Sequence, residues 1–325
     1  MTPRSAPLPP PYRAPAWLVG SHAQTIWPLA IKPPLPPLTR ERWETPDGDF
    51  IDVDLLARRP GKPLVVLFHG LEGSSRSHYS RALLAALHRH GWNGAVAHFR
   101  GCSGEPNRLP RAYHSGDADE IDWILRRFAQ RFDDGPRYAS GVSLGGNALL
   151  VWAAREGERA GTVVERVASV CAPLDLTACG HHLARGFNRV YTRNFLSTLK
   201  ARCIDKLDRF PGAFDVARLR SARNLYEFDN VITAPLHGFA GTEDYWTRCS
   251  SKPLLPQIRV PSLVLHARND PFIPRSVYPQ PDALSPSVLL ELHDQGGHVG
   301  FVEGAFPGQL DWLPRRLLHF FEHGN

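Results

Sequence analysis

Within the 325 residues, the pentapeptide Gly141-Val142-Ser143-Leu144-Gly145 has the residue types and spacing of a nucleophile set on a tight bend. Glycines two residues to either side of Ser143 let a strand and a helix approach without Cβ clashes, so the hydroxyl can project clear of a sheet. The same bend puts the N–H of Leu144 at a helix N-terminus, where an unpaired donor can stabilise a developing oxyanion. A serine hydroxyl is a weak nucleophile until a base takes its proton, so an imidazole and an orienting carboxylate are required elsewhere. His298, in Gln295-Gly296-Gly297-His298-Val299-Gly300, follows the last apolar run and is the expected base. Asp270, in Arg268-Asn269-Asp270-Pro271, is the expected orienting acid, with Asp244 and Asp294 as nearby alternatives. A second oxyanion donor, the N–H of Leu71, is expected from the loop His69-Gly70-Leu71-Glu72-Gly73, with His69 itself structural. Such a set would cleave an acyl ester through an acyl-enzyme, and it requires no metal or organic cofactor.

Those residues must be carried by elements that bring them to one place. From residue 64 onward, short apolar runs alternate with helical periodicities, the sign of a mostly parallel sheet flanked by helices. Strands are expected over 64–68, 94–99, 138–142, 167–171, 262–267 and 288–293, and helices over 79–90, 117–132, 144–155 and 309–323. A hairpin over 42–56 precedes them, turning at Pro46-Asp47-Gly48-Asp49. Ser143, Asp270 and His298 then all follow strands, at the C-terminal edge where open α/β sheets place ligands.

Two regions break the alternation. Residues 1–40 hold eleven of the 30 prolines up to Leu38 and read as an extended arm, with Trp17, Leu18, Val19, Ile26 and Trp27 available to cover the domain. Residues 175–256 lack a strand signal and read as a helical cap inserted into a core formed by 41–174 and 257–325. There Leu183, Phe187, Tyr191, Phe195 and Leu199 recur every four residues among arginines and lysines, which predicts one basic amphipathic helix. Phe187, Tyr191, Phe195 and Trp246 are the expected apolar roof of an acyl pocket.

Composition excludes several classes. Hydrophobic residues are 42% and charged residues 22%, as in globular domains, which argues against a disordered chain, a fibre or a polytopic membrane protein. The net charge of +6 comes from 38 basic and 32 acidic residues, interspersed and without a nucleic-acid motif, so no nucleic-acid partner is expected. Cys102, Cys171, Cys179, Cys203 and Cys249 form no C-x-x-C pair and are expected to be reduced thiols. No apolar run reaches transmembrane length and no signal-like segment opens the chain, so a cytoplasmic location is expected, with peripheral membrane contact left open. The oligomeric state has no signature in the sequence.

The order Ser143, Asp270, His298 is that of α/β-hydrolases, and the chain resembles their YheT-type branch. The resemblance is carried by Ser21-His22-Ala23-Gln24-Thr25-Ile26-Trp27-Pro28, His69-Gly70-Leu71-Glu72-Gly73, Phe99-Arg100-Gly101-Cys102-Ser103-Gly104 and Tyr113-His114-Ser115-Gly116. Gly141-Val142-Ser143-Leu144-Gly145-Gly146-Asn147, Asn269-Asp270-Pro271 and Gly296-Gly297-His298 complete it in the expected order. It implies an α/β-hydrolase fold with a cap and activity on acyl or lipid-like esters. An H-x-x-x-x-D pattern, met by His114 and Asp119, has been linked in the family to acyltransferase activity, but its place before a helix fits turn and capping roles. The rival expectations are therefore an acyltransferase using the same triad and a silent hydrolase-fold binding module.

Overall fold

In the computed structural model, residues 8–325 are described, so the first seven residues of the proline-rich arm lie outside the described residues. The elements in chain order begin with α1 (Ser21–Ile26), β1 (Thr39–Glu44), β2 (Phe50–Leu55), β3 (Leu64–Phe68), α2 (His78–His90), β4 (Asn93–Ala97) and α3 (Ala118–Arg131). They continue with β5 (Arg137–Val142), α4 (Leu144–Glu156), α5 (Ala160–Val163) and β6 (Arg166–Val170). Six helices follow: α6 (Leu176–Leu183), α7 (Asn188–Asp205), α8 (Val216–Ser221), α9 (Leu225–Val231), α10 (Thr233–Leu236) and α11 (Thr242–Cys249). β7 (Ser262–Ala267), β8 (Val288–His293) and α12 (Trp312–His323) close the chain.

The strands form one sheet in the order β1-β2-β4-β3-β5-β6-β7-β8, antiparallel from β1 to β4 and parallel from there on. The pleat explains why the central strands read as unbroken apolar runs. In β3, Leu64, Val66 and Phe68 enter the core against α3 and α4, whereas Val65 and Leu67 enter a second core against α2 and α12. Val264 against Leu263 and Leu265 in β7 repeats the division. Burying each such side chain contributes about 1.5–3 kcal/mol, so a register slip in the sheet centre is disfavoured. β8 is an edge strand with only Val288 and His293 buried. The parallel strands all point one way, so the loops after β3, β5, β6, β7 and β8 gather at a single edge.

Between β6 and β7 the helices α6 to α11 form a cap, several of them started by side-chain caps: Asp175 accepts from Ala178 N, Asp215 from Arg218 N and Asn224 from Glu227 N. The single helix predicted through 183–202 is two. α6 ends at Leu183 and α7 begins at Asn188, with Gly186 between them at φ +53°. The four-residue spacing runs unbroken across this junction, but a left-handed glycine cannot continue a right-handed helix. The buried face of α7 is also not the predicted stripe: it carries Asn188, Thr192 and Leu196. Its two polar members each donate a hydrogen bond, Asn188 Nδ2 to Pro271 O at 2.7 Å and Thr192 Oγ1 to Leu183 O at 2.7 Å, while the buried Asn188 Oδ1 accepts none among the described residues.

The arm, read from sequence as extended, contains α1 followed by one tight turn over Trp27–Ala30. Leu18 is buried, and Trp17 and Trp27 donate their indole N–H groups to Gly304 O and Pro307 O, but Val19 and Ile26 face outward. Among the described residues no helix is long and apolar enough to cross a membrane, and all five cysteines are free thiols.

Candidate active site

Ser143 occupies the bend between β5 and α4 with φ 52° and ψ −119°, a conformation strained for a side-chain-bearing residue. Its N–H donates to Val170 O at 2.8 Å, which ties the bend to the next strand. The surrounding glycines are required by close contacts, with backbone at Gly141 and Gly145 and with a side chain at Gly146. A Cβ on Gly141 would lie 2.5 Å from Gly145 O, and one on Gly145 would lie 2.5 Å from both Phe68 O and His69 O. A Cβ on Gly146 would meet Ser169 Oγ at 2.7 Å.

His298 Nε2 stands 3.0 Å from Ser143 Oγ, and its Nδ1 stands 2.7 Å from Asp270 Oδ2. With Nδ1–H donated to the carboxylate, Nε2 is left to accept the serine proton. The Asp270 carboxylate is fully buried, and its other oxygen accepts the N–H of Phe272 at 2.8 Å. The Phe272 ring stacks on the imidazole with centroids 4.1 Å apart. The two alternative carboxylates serve elsewhere. Asp244 accepts from Ala240 N and Arg248, and Asp294 is 93% exposed beside Arg268.

The loop after β3 lies directly against the serine, since a Cβ on Gly70 would be 3.2 Å from Ser143 Cβ. On either side of Leu71 the backbone is pinned: Gly70 N–H donates to Tyr79 Oη at 2.9 Å and Glu72 N–H to Tyr113 Oη at 2.9 Å. Leu71 and Leu144 both border the cavity at Ser143 and His298. Tyr79 lies in no motif singled out from the sequence, and the Tyr113-His114-Ser115-Gly116 motif does not disclose this task, because Tyr113 acts 41 positions away. Burial raises the pKa of both phenols, so their hydroxyls stay protonated. His69 is buried and holds the same loop, Nδ1 donating to Gly70 O at 2.8 Å and Nε2 accepting from Phe99 N at 3.0 Å. Burial pushes its pKa down to about 3, so it stays neutral.

The cavity over Ser143 has a volume of about 320 Å³ and runs between the sheet edge and the cap. Phe195, Leu199, Phe228, Ile232, Trp246 and Phe272 supply much of its apolar wall. Phe195 and Trp246 thus lie where an acyl roof was expected, whereas Phe187 and Tyr191 do not reach the cavity. Both sit at the start of α7 and touch α1: Phe187 is 51% exposed with its ring 4.3 Å from that of His22, and Tyr191 Oη lies 3.0 Å from His22 Nδ1 while the Tyr191 ring packs 4.7 Å from that of Phe272. The basic residues expected on this helix divide likewise. Arg185, Arg189 and Arg193 are exposed, while Arg202 pairs with Glu72 at 3.0 Å in the cavity wall.

His114 also borders the cavity, but its carboxylate neighbour is Asp117 at 4.0 Å; Asp119 is exposed on the first turn of α3. Burial lowers the His114 pKa to about 4, and its Nδ1 accepts the Gly116 N–H at 3.2 Å. Among the described residues one cluster has the composition of a metal site: Cys171, Asp270 and His298 hold donor atoms within 4.8 Å of one another. Two of them are already committed to each other, and burial drives the Cys171 thiol well above its ordinary pKa, which disfavours the ligating thiolate.

Residues 63–305 match the family described as the alpha/beta hydrolase fold. The chain is 44% identical to YheT of Escherichia coli (strain K12) over 282 residues, covering 85% of this chain and 82% of that protein. It is 28% identical over 329 residues to phospholipase ABHD3 of Bos taurus, covering 97% of this chain and 80% of the relative. Among solved structures, a Pyrococcus furiosus esterase superposes with a TM-score of 0.54 at 15% identity, covering 90% of this chain and 98% of that one, a likeness of fold.

Proposed function

Since the chain belongs to the α/β-hydrolase fold family, close to YheT within it, we propose that it hydrolyses carboxylic esters with acyl or lipid-like chains through an acyl-enzyme on Ser143. The observation that carries this reading is the relay from Asp270 Oδ2 through His298 to Ser143 Oγ, at 2.7 Å and 3.0 Å, opening into an apolar cavity. In the forward step His298 Nε2 takes the Ser143 proton as Oγ forms a bond to the ester carbonyl carbon. The N–H groups of Leu71 and Leu144 receive the resulting oxyanion, a contribution of about 2.7–4 kcal/mol for one such donor. The imidazolium, stabilised by Asp270, returns the proton to the leaving alcohol as the C–O bond breaks. Water then takes the alcohol's place, His298 accepts its proton, and collapse of the second tetrahedral species releases the carboxylic acid and Ser143.

On this reading the core of 41–174 and 257–325 carries the chemistry, the cap of 175–256 selects the acyl group, and the described part of the arm of 1–40, from residue 8 on, braces the edge from outside. The likeness to a protein named as a phospholipase favours a lipid ester over a short polar one. Water is the preferred acyl acceptor because the exposed Asp119 leaves the H-x-x-x-x-D pattern unassembled beside the cavity. The test is a panel of nitrophenyl esters from short to long chain, run on the wild type and on Ser143→Ala, with and without added alcohol. Ser143-dependent release of acid is expected; activity retained in Ser143→Ala, or strong partition to a new ester at low alcohol concentration, would overturn the hydrolase.

A further inference from the structure

The motif Ser21-His22-Ala23-Gln24-Thr25 lies remote in sequence from the proposed reacting groups, yet α1 packs against their loops. The His298 loop needs such help. Gly296 and Gly297 have φ values of 141° and 59°, and Val299 follows at 60°, so the loop's N–H groups cannot join a regular ladder. Three consecutive donors are instead taken by side chains. Gly296 N–H goes to Gln24 Oε1 at 3.0 Å, Gly297 N–H to Asn269 Oδ1 at 3.0 Å and His298 N–H to Thr25 Oγ1 at 2.9 Å.

Gln24 Oε1 also accepts from Asn269 Nδ2 at 2.9 Å, so one amide oxygen joins the residue before Asp270 to the loop before His298. Its orientation is fixed by Nε2, which donates to Leu18 O at 2.9 Å, and Thr25 Oγ1 is oriented by donating its own proton to Ser21 O at 2.8 Å. The contact is close: a Cβ on Gly297 would lie 2.6 Å from Gln24 C, and one on Gly300 would lie 2.1 Å from Gln24 O. Gln24 is 1% exposed on a helix whose Ala23 and Ile26 face solvent, so this amide is buried for its bonds and not for want of surface. Neither Gln24 nor Thr25 borders the cavity.

We propose that Gln24 and Thr25 are positioning residues: they clamp the acid loop and the base loop together and so set the distances from His298 to Asp270 and to Ser143. The proposal rests on the reading of those three residues as the reacting set. A clamp remote from substrate predicts loss in kcat with KM little changed, since a displacement of about 1 Å in a reacting group can cost about 100-fold.

The decisive comparison is Thr25→Val, which keeps the shape and removes the acceptor, against Thr25→Ser, which keeps the acceptor, with Gln24→Leu as the larger lesion. Steady-state kinetics on a nitrophenyl ester should be paired with the downfield proton resonance of the His298–Asp270 hydrogen bond, which needs no turnover. Thr25→Val is expected to lower kcat about tenfold and Gln24→Leu about 100-fold, with KM within about twofold. The resonance should move or broaden in both, and Thr25→Ser should restore rate and signal. Wild-type kcat and an unmoved resonance in Thr25→Val would overturn the clamp, even if Gln24→Leu does not fold. Absence of Ser143-dependent turnover in the wild type would instead refute the hydrolase reading, and the resonance comparison would still decide the clamp.

Discussion

At the sheet edge and in the cap, tight packing has different partners. A Cβ on Gly145 would come within 2.5 Å of two backbone carbonyl oxygens, Phe68 O and His69 O, which belong to the central strand and its loop. In the cap the corresponding crowding is between side chains: a Cβ on Gly180 would meet the Trp246 ring at 2.3 Å. Backbone at the edge has nowhere to go, because the sheet fixes it, whereas the Trp246 indole can yield by giving up its hydrogen bond to Asp229. The edge therefore permits one geometry, suited to one chemistry, while the cap can be reshaped without touching the reacting atoms. The small cap clusters, such as Leu219, Phe228 and Ile232 around Leu196, agree with this when set beside the two large cores that enclose the sheet.

The sharpest way to break that contrast is at its chemical centre. Ser143→Ala should lower ester turnover by at least about 10⁴-fold while leaving the fold intact, measured by kcat/KM and thermal unfolding together. Next comes a matched pair of glycine substitutions. Gly145→Ala should destabilise by about 3 kcal/mol or more and abolish activity, whereas Gly180→Ala should remain folded with altered chain-length preference. Equal losses in the two unfolding curves would erase the distinction between backbone-limited and side-chain-limited packing.

A smaller effect is expected from Phe195→Ala in the cavity wall. It should reduce kcat/KM for long-chain esters about tenfold and leave short-chain esters within about twofold, as read from the ester panel. The smallest concerns Asp229, which borders the cavity and accepts from Thr233 Oγ1 at 2.6 Å and Trp246 Nε1 at 2.8 Å. Burial raises its pKa from 3.8 to about 6. Because the folded value lies above the unfolded one, its stabilising contribution is complete below about pH 4 and is lost as pH rises through about 6. Asp229→Asn should thus raise the unfolding temperature near pH 8 by up to about 5 °C, consistent with at most roughly 3 kcal/mol, and change it much less near pH 4.5. A shift of equal size at both pH values would assign the effect to packing and not to ionisation.

The same contrast governs what could be read from the sequence. β3, β7 and β8 occupy the expected residues, because a central strand buried on both faces writes its limits as an apolar run and an edge strand still alternates against its neighbour. The bend at Ser143 was legible for a related reason: backbone crowding leaves only glycine at Gly141 and Gly145, and a residue type forced at a position can be recognised. The cap was legible as helical but not in its breaks or its buried face. Leu183 and Phe187 keep helical spacing on opposite sides of Gly186, and the burial of Asn188 and Thr192 depends on partners in other segments. Tyr79 has no sequence signal for its task, since its hydroxyl acts across 9 positions, whereas Tyr113, Gln24 and Thr25 lie in recognisable motifs that show no task, Tyr113 acting across 41 positions.

The most direct test of the central claim is intact-mass and peptide analysis of the folded protein after treatment with a serine-directed phosphonate. One adduct per chain, located on Ser143 and lost in both Ser143→Ala and His298→Ala, is the predicted result. An unmodified Ser143 in folded wild-type protein would contradict it.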